Sequence, residues 1–270
     1  MIGACLKWVE RRPEVDPLTG EVATDPRTSG ASEADQAALE WALRLAEVWD
    51  DEVVVVTAGP AGADAVLREA LAAGAARAVR VDLPAGAPSE AVAVGLAGAL
   101  SGAAVVVCGD WSLDRGSGAV PGFLAAHLGA AQALGLVDIE VAGAGRVRAE
   151  RRLDGGRRER VAVAAPMVLS VEGRLRLRRA PLDGLLAARD ADIPVRAGPP
   201  VPEHLPVRTA PYRPRARLLP VPRGPSARER VLALTGALVD PTPPEQAVLD
   251  PEAAADRILA QLRAWGYLDR

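Results

Sequence analysis

Residues 103–129 read AAVVVCGDWSLDRGSGAVPGFLAAHLG, and this stretch decides the fold. Ala104 to Cys108 is an apolar, β-branched run of strand length that stops at turn residues, as expected of a strand buried on both faces of a parallel sheet. A polar loop follows, Gly109 to Gly118, and Ala119 to Leu128 reads as a helix of small residues. Ser117 and Gly118 then fall where backbone amides lack intrahelical acceptors. Such amides, with the positive end of the helix dipole behind them, suit a phosphate. The loop matches neither G-x-G-x-x-G nor the Gly-Lys-Ser/Thr ending of a Walker loop. By itself it is equally compatible with an ordinary strand-to-helix connection.

The alternation of strand and helix continues upstream. Strands are expected over Ile2 to Val9, Glu52 to Thr57 and Arg77 to Asp82, and helices over Glu33 to Trp49, Ala61 to Gly74 and Pro88 to Leu100. The first helix starts at Ser32 with Asp35 three residues on, a capping-box arrangement. This order predicts right-handed βαβ units and an α/β fold, a parallel sheet with flanking helices. Ligands of such sheets lie beyond the carboxyl ends of the strands. Three loops converge there: the one after Lys7, the one at Ala58-Gly59, and Gly109 to Gly118. The segment RRPEVDPLTGEVATDPRTSGAS, residues 11–32, is long for an idle connection.

Beyond Gly129 the texture changes. Leu136 to Ala142, Arg146 to Leu153 and Arg160 to Ala165 are strand-like, with Asp154-Gly155-Gly156 marking a hairpin. Met167 to Glu172 is a further strand. Arg174 to Asp183 reads as a basic loop with an apolar tip at Pro181-Leu182, and Leu185 to Arg189 as a short helix. From Ala197 to Pro225 the chain is studded with Pro and Arg, an arm unable to sustain ladders or helices. An amphipathic helix near the C-terminus, up to Trp265, carries Ile258, Leu259, Leu262 and Trp265 on one side. The chain therefore divides into an α/β domain over 1–195, with the basic loop near 174–186, and an arm with terminal helix over 196–270 that either packs back on its own domain or clasps a partner subunit.

Composition narrows the function classes. Of 270 residues 49% are hydrophobic and 25% charged, and the net charge is −3, which describes a soluble globular protein with no general attraction for nucleic acid. No apolar run reaches the roughly 18 residues of a membrane span. The N-terminal MIGACLKWVERR places its charges after its apolar residues, the reverse of a secretory signal, so a cytoplasmic protein is expected. Cys5 and Cys108 sit in apolar runs as small buried hydrophobes, and with His127 and His204 they make no metal set. No Ser-His-Asp, Cys-His or paired-carboxylate arrangement is brought together by the expected topology.

Several stretches in unbroken order resemble the β (small) subunit of electron transfer flavoproteins, the family that includes the Fix proteins. They are ACLKWV (4–9), DPLTG (16–20), ALEWALRLAE (38–47), VVVVTAGP (53–60), LREALAAGAARAVRV (67–81), GDWSLDRGSGAVPGFLA (109–125), RLDGG (152–156) and RRAPLDGLLAAR (178–189). The resemblance covers about residues 1 to 195. It implies an adenine nucleotide α-hydrolase-like fold and a heterodimer with an α subunit that bears the redox-active FAD. It also implies a structural AMP in the β subunit, and passage of electrons from dehydrogenases to a membrane-bound quinone oxidoreductase. Carried over by position, the AMP contacts fall on Cys5, on Ser32, Glu33, Ala34 and Asp35, on Ala58, and on Gly109, Asp114, Arg115, Gly116, Ser117, Gly118, Ala119 and Val120. The dehydrogenase-docking leucine of the family corresponds to Leu182, preceded by Pro181 and ringed by Arg176, Arg178 and Arg179.

The sequence departs from the family at several points. Ser32-Glu33 stands for Asn-Pro, Ala34 for an aromatic placed near the flavin, and Trp111 for a polar residue, while Ala187 to Asp192 replaces a lysine-rich run. These departures resemble a divergent branch of actinobacterial type, with dehydrogenases that use the peptide-derived cofactor mycofactocin among the partners to consider. Whether the cleft holds AMP or a second FAD, as in flavin-bifurcating relatives, stays open. Two other readings share the crevice: an enzyme of the wider α-hydrolase-like group, disfavoured because Lys7-Trp8-Val9 replaces the SGGxDS-type loop, and a universal stress protein-like sensor, which leaves the arm and terminal helix without a task.

Overall fold

In the computed structural model, residues 1–201, 221, 224–235 and 246–268 are described. The strands are β1 (Ile2–Cys5), β2 (Val9–Glu10), β3 (Glu14–Val15), β4 (Val22–Ala23), β5 (Ser29–Gly30), β6 (Val53–Gly59), β7 (Arg77–Asp82), β8 (Val105–Gly109), β9 (Ala131–Gly143), β10 (Arg146–Arg152), β11 (Arg158–Ala164), β12 (Met167–Val171) and β13 (Val195–Ala197). The helices are α1 (Glu33–Trp49), α2 (Asp64–Ala72), α3 (Ser89–Ala99), α4 (Val120–Leu128), α5 (Leu182–Arg189), α6 (Ala227–Thr235) and α7 (Pro251–Ala264).

Nine strands form one sheet in the order β11-β10-β9-β12-β8-β1-β6-β7-β13. From β9 through β13 in that order all pairs are parallel, and β10 and β11 add an antiparallel hairpin at one edge. The mostly parallel α/β sheet with flanking helices expected from the sequence is present. Alternation of side chains along each strand divides its core into two layers. Ile2, Ala4, Val53, Val55, Val105 and Val107 face Ala38, Leu39, Ala42 and Leu67 of α1 and α2. Cys5, Val54, Val56, Val106 and Cys108 face Leu96 of α3 and Leu124 of α4.

The chain runs from β1 outward through α1 to β6 and through α2 to β7, then returns through α3 to β8 on the other side of β1. The order of strands reverses between β1 and β8, which is where open α/β sheets hold ligands. Capping sets the start of α1: Asp35 donates its amide to the Ser32 hydroxyl at 3.1 Å, and the Ser32 amide and hydroxyl donate to the Asp35 carboxylate at 3.4 and 2.9 Å. Gly109 and Gly173 let that first turn sit close. A Cβ on Gly109 would lie 2.8 Å from Asp35 Oδ1, and one on Gly173 would lie 3.0 Å from the Ala34 nitrogen.

The structure departs from the sequence reading at three places. The expected strand over Ile2 to Val9 is two: β1 ends at Cys5, and β2 pairs with β5 instead of joining the main sheet. β13, absent from the sequence reading, forms the far edge against β7. Leu182 opens α5 instead of occupying a loop tip, because Pro181 takes the N-cap position and Asp183 sits in the first turn. At the other end of α5, the Arg68 guanidinium donates to the carbonyls of Ala188, Arg189 and Ala191, each at 2.9 Å. Gly184 makes the seat on α2 possible, since a Cβ there would lie 2.6 Å from the Ala72 carbonyl oxygen.

By contacts the chain separates into two compact units, Met1–Tyr212 and Arg213–Arg270. Most of the expected Pro/Arg arm lies outside the described residues. In the second unit, α7 begins at Asp250, whose carboxylate accepts from the amides of Glu252 and Ala253. Pro251 at its first position lacks only a donor that no helix start uses.

Candidate functional site

At the switch point β1 ends in Cys5 and β8 in Cys108 and Gly109, and the chain leaves each strand into the wall of one cleft. From the first strand come Cys5, Leu6 and Lys7, from the start of α1 Asp35, and from the end of β6 Ala58. The turn before α3 supplies Pro84, Ala85, Ala87 and Ser89, and the loop after β8 supplies Trp111, Ser112, Arg115 and Ser117 to Val120. The lining is largely apolar, with a few polar groups converging on it, the usual make-up of a small-molecule site.

The loop after β8 is shaped by three contacts. Lys7 Nζ donates to both oxygens of Asp114 at 2.6 Å, tying the end of β1 to the loop. Partial burial raises the Asp114 carboxyl, but the Lys7 ammonium and the Ser112 hydroxyl outweigh it and hold the group below the usual carboxylate range. Arg115 reaches across the mouth and donates to the carbonyl of Gly86. Gly118 has φ +58°, and a Cβ there would stand 2.5 Å from the Asp110 carbonyl oxygen. With the loop so turned, the amides of Ser117, Gly118 and Ala119 donate to no acceptor among the described residues. They stand at the start of α4, where an anion satisfies them and meets the helix dipole.

Asp35 supplies the one deeply buried carboxyl of the cleft wall. Desolvation pushes it up to about 6, against the lowering effect of the Ser32 hydroxyl, the Ser32 and Lys7 amides and the Lys7 ammonium. Beside it, Cys5 and burial together push the Cys108 thiol up.

Of the residues singled out in the sequence, Cys5, Asp35, Ala58, Gly109, Arg115, Ser117, Gly118, Ala119 and Val120 line this cleft. Ser32, Glu33 and Ala34 line an adjacent hollow with Arg11, Arg152 and Arg174, and Trp111 borders both spaces. Asp114 and Gly116 shape the loop without forming the cleft wall. The sequence alone does not single out Lys7 or the Pro84–Ser89 wall. The capping pattern that flagged Asp35 had no counterpart for a lysine whose partner lies 107 residues away.

The basic surface around Leu182 also differs from expectation. Arg176 and Arg179 are exposed, but Arg178 is a positioning residue. It donates to Glu40 at 3.0 Å and to Glu47, and Glu40, only 4% exposed, also pairs with Arg44 at 2.9 Å. Its charge is consumed in fixing the segment before α5 to α1. Leu182 is 72% exposed, and Leu185 and Leu186 continue the apolar surface along the same helix.

Fold and cleft together define the class: an α/β protein with a cleft at the switch point of its sheet. The family follows from comparison. Residues 20–197 match the model of the electron transfer flavoprotein domain. The electron transfer flavoprotein subunit beta of Mycobacterium tuberculosis is 31% identical over 202 residues, covering 70% of this chain and 73% of that protein. Its counterpart in Mycobacterium leprae is 32% identical with the same coverage, and Protein FixA of Rhizobium meliloti is 31% identical over 197 residues, 68% of each. The chain belongs to the electron transfer flavoprotein β-subunit family. Such subunits are electron-transfer proteins and not enzymes, and the mycobacterial relatives agree with an actinobacterial-type branch. No helix among the described residues is long and apolar enough to cross a membrane.

Proposed function

We propose that the chain is the β subunit of a heterodimeric electron transfer flavoprotein that holds a structural AMP in the switch-point cleft and leaves the redox-active FAD to the α subunit. The observation that carries this reading is the trio of unpartnered amides at Ser117, Gly118 and Ala119, residues that line the cleft together with Lys7 and Arg115. A phosphate there satisfies three donors otherwise left without acceptors, which is worth more than a further surface ion pair. The Ser117 hydroxyl adds a donor, and the apolar wall from Pro84 to Ala87 suits a base. In this role the nucleotide completes the fold, and the electrons travel on the flavin of the partner subunit.

Denaturing the co-purified heterodimer and identifying what it releases tests the reading. One AMP and one FAD per heterodimer is the expected result, with the β subunit alone colourless. Two FAD assign the cleft to a second flavin and the protein to bifurcating chemistry, and release of no nucleotide overturns the proposal.

The start of α5 is the docking element for a donor dehydrogenase, with Pro181 and Leu182 as its apolar anchor and Arg176 and Arg179 as the charges that steer encounter. Arg68, Gly184 and the Glu40–Arg178 pair hold that helix still, so little order is lost on docking. Leu182→Ala is expected to lower kcat/KM for reduction by the donor dehydrogenase about 10- to 30-fold, roughly 1.5–2 kcal/mol, with Tm unchanged. An unchanged kcat/KM removes the anchor role. The terminal segment clasps the α subunit, and the acceptor is a membrane-bound quinone oxidoreductase.

A further inference from the structure

The chain has two cysteines, and the fold sets them side by side. Cys5 and Cys108 are registered partners at the carboxyl ends of the parallel strands β1 and β8. Both enter the core layer beneath α3 and α4, so their side chains leave the same face of the sheet. Both line the cleft, at 7% and 4% exposure. Adjacent strands lie about 4.8 Å apart, within the roughly 4.4–6.8 Å between Cα atoms that a disulfide spans. Packing alone has no need of sulfur at either position, where alanine or valine would fill the layer. A registered pair of free thiols at the base of a ligand cleft is chemistry that the electron-transfer role does not use.

We infer that Cys5 and Cys108 form a reversible redox couple at the base of the cleft, a dithiol while a nucleotide covers it and an intrachain disulfide once the emptied cleft admits a small organic disulfide. The pairing of the thiols stands on the strand register alone, and its control by nucleotide rests on the AMP reading above. Cys5, the more exposed thiol, gives up its proton and attacks one sulfur of the small disulfide. That S–S bond breaks, and one small thiol leaves with a proton. Cys108 then gives up its proton and attacks the Cys5 sulfur of the mixed disulfide, expelling the second small thiol. Two protein thiols are oxidised, one small disulfide is reduced to two thiols, and the protons are conserved. On parallel strands the Cβ atoms stand about as far apart as the strands, more than the ~3.8 Å of a relaxed disulfide. The bond therefore draws the two strand ends together and is easily reduced, which suits a switch better than a staple.

Peptide mapping tests this on the heterodimer. The complex, emptied of nucleotide or saturated with AMP, is treated with 2-hydroxyethyl disulfide, alkylated and digested with trypsin. Cleavage after Lys7, Arg80 and Arg115 leaves Cys5 in the peptide of residues 1–7 and Cys108 in that of residues 81–115, so the linked pair is diagnostic whatever cysteines the other subunit carries. The linked peptide is expected as the main product from the emptied protein, at least ten-fold less of it under AMP, and none after dithiothreitol. In Cys108→Ser, Cys5 is expected to stop at the mixed disulfide. Recovery of both cysteines as alkylated thiols from the emptied protein overturns the couple. Equal linking with and without AMP, where equilibrium dialysis shows AMP bound, overturns its control by nucleotide. Linking in a protein that binds no AMP at all supports the couple and counts against the AMP reading instead.

Discussion

Gly118→Ala is expected to strip the nucleotide from the heterodimer, with affinity for AMP falling at least 100-fold and the Tm of the complex falling with it. Two effects add at this position. The backbone has φ +58°, where an L side chain costs roughly 1–2 kcal/mol. The new methyl would also lie 2.5 Å from the Asp110 carbonyl oxygen, so the loop must open to admit it. The amides of Ser117, Gly118 and Ala119 then shift with the loop, and a phosphate held by three donors loses most of them. About 3 kcal/mol corresponds to the 100-fold loss. Gly116→Ala provides the control, because Gly116 also has positive φ, +64°, but its Cβ would meet nothing closer than 3.9 Å. That variant bears the backbone cost without the collision and is expected to retain AMP within about ten-fold. Equal losses in the two variants, or retention of AMP by both, would show that the Gly118 turn does not shape the site.

The contrast between these two glycines shows what sequence can and cannot disclose. Both stand in one polar loop, and nothing local distinguishes a glycine that merely turns from one pressed against a carbonyl. The same limit applied to Lys7. Its neighbours read as a continuing strand, and only the distant Asp114 turns the lysine into a tie between β1 and the loop. Elements with strong local signals were legible almost to the residue. The Ser32/Asp35 capping box gave the start of α1, and the β-branched run Val53 to Val56 gave β6. β13, three exposed residues paired to β7 with the Arg196 guanidinium on the Gly98 carbonyl, has no local signal at all. The sequence reads part of α5 as loop because its order comes from Arg68 and Ala72 of another helix, a packing effect that propensity does not encode.

Asp35 gives the second large effect, and its sign runs against the usual behaviour of a paired carboxylate. The group has a folded-state pKa of about 6, against 3.8 when unfolded, because desolvation outweighs the Ser32 and Lys7 contacts. Between those values the folded chain keeps a proton that the unfolded chain has released. Stability is therefore lost as pH rises through roughly 4 to 6, by about 3 kcal/mol in total, and the loss persists at neutral pH. Asp35→Asn keeps an oxygen to accept from Ser32 and removes the titration. The difference in unfolding free energy, variant minus wild type, is expected to be near zero at pH 4, to climb through pH 6 and to level off near 3 kcal/mol in favour of the variant. Taking the difference cancels the other carboxyls, such as Asp114 and Glu40, which sit below the usual range and contribute the opposite slope. A flat difference, or a variant weaker than wild type at pH 7, would show that Lys7 and Ser32 already compensate the buried charge. If the climb is observed, the chain keeps at this position a carboxylate that weakens its own fold. Residues that break the local rules of stability in this way tend to mark functional sites, and Asp35 lines the same cleft as the free amides of the loop after β8.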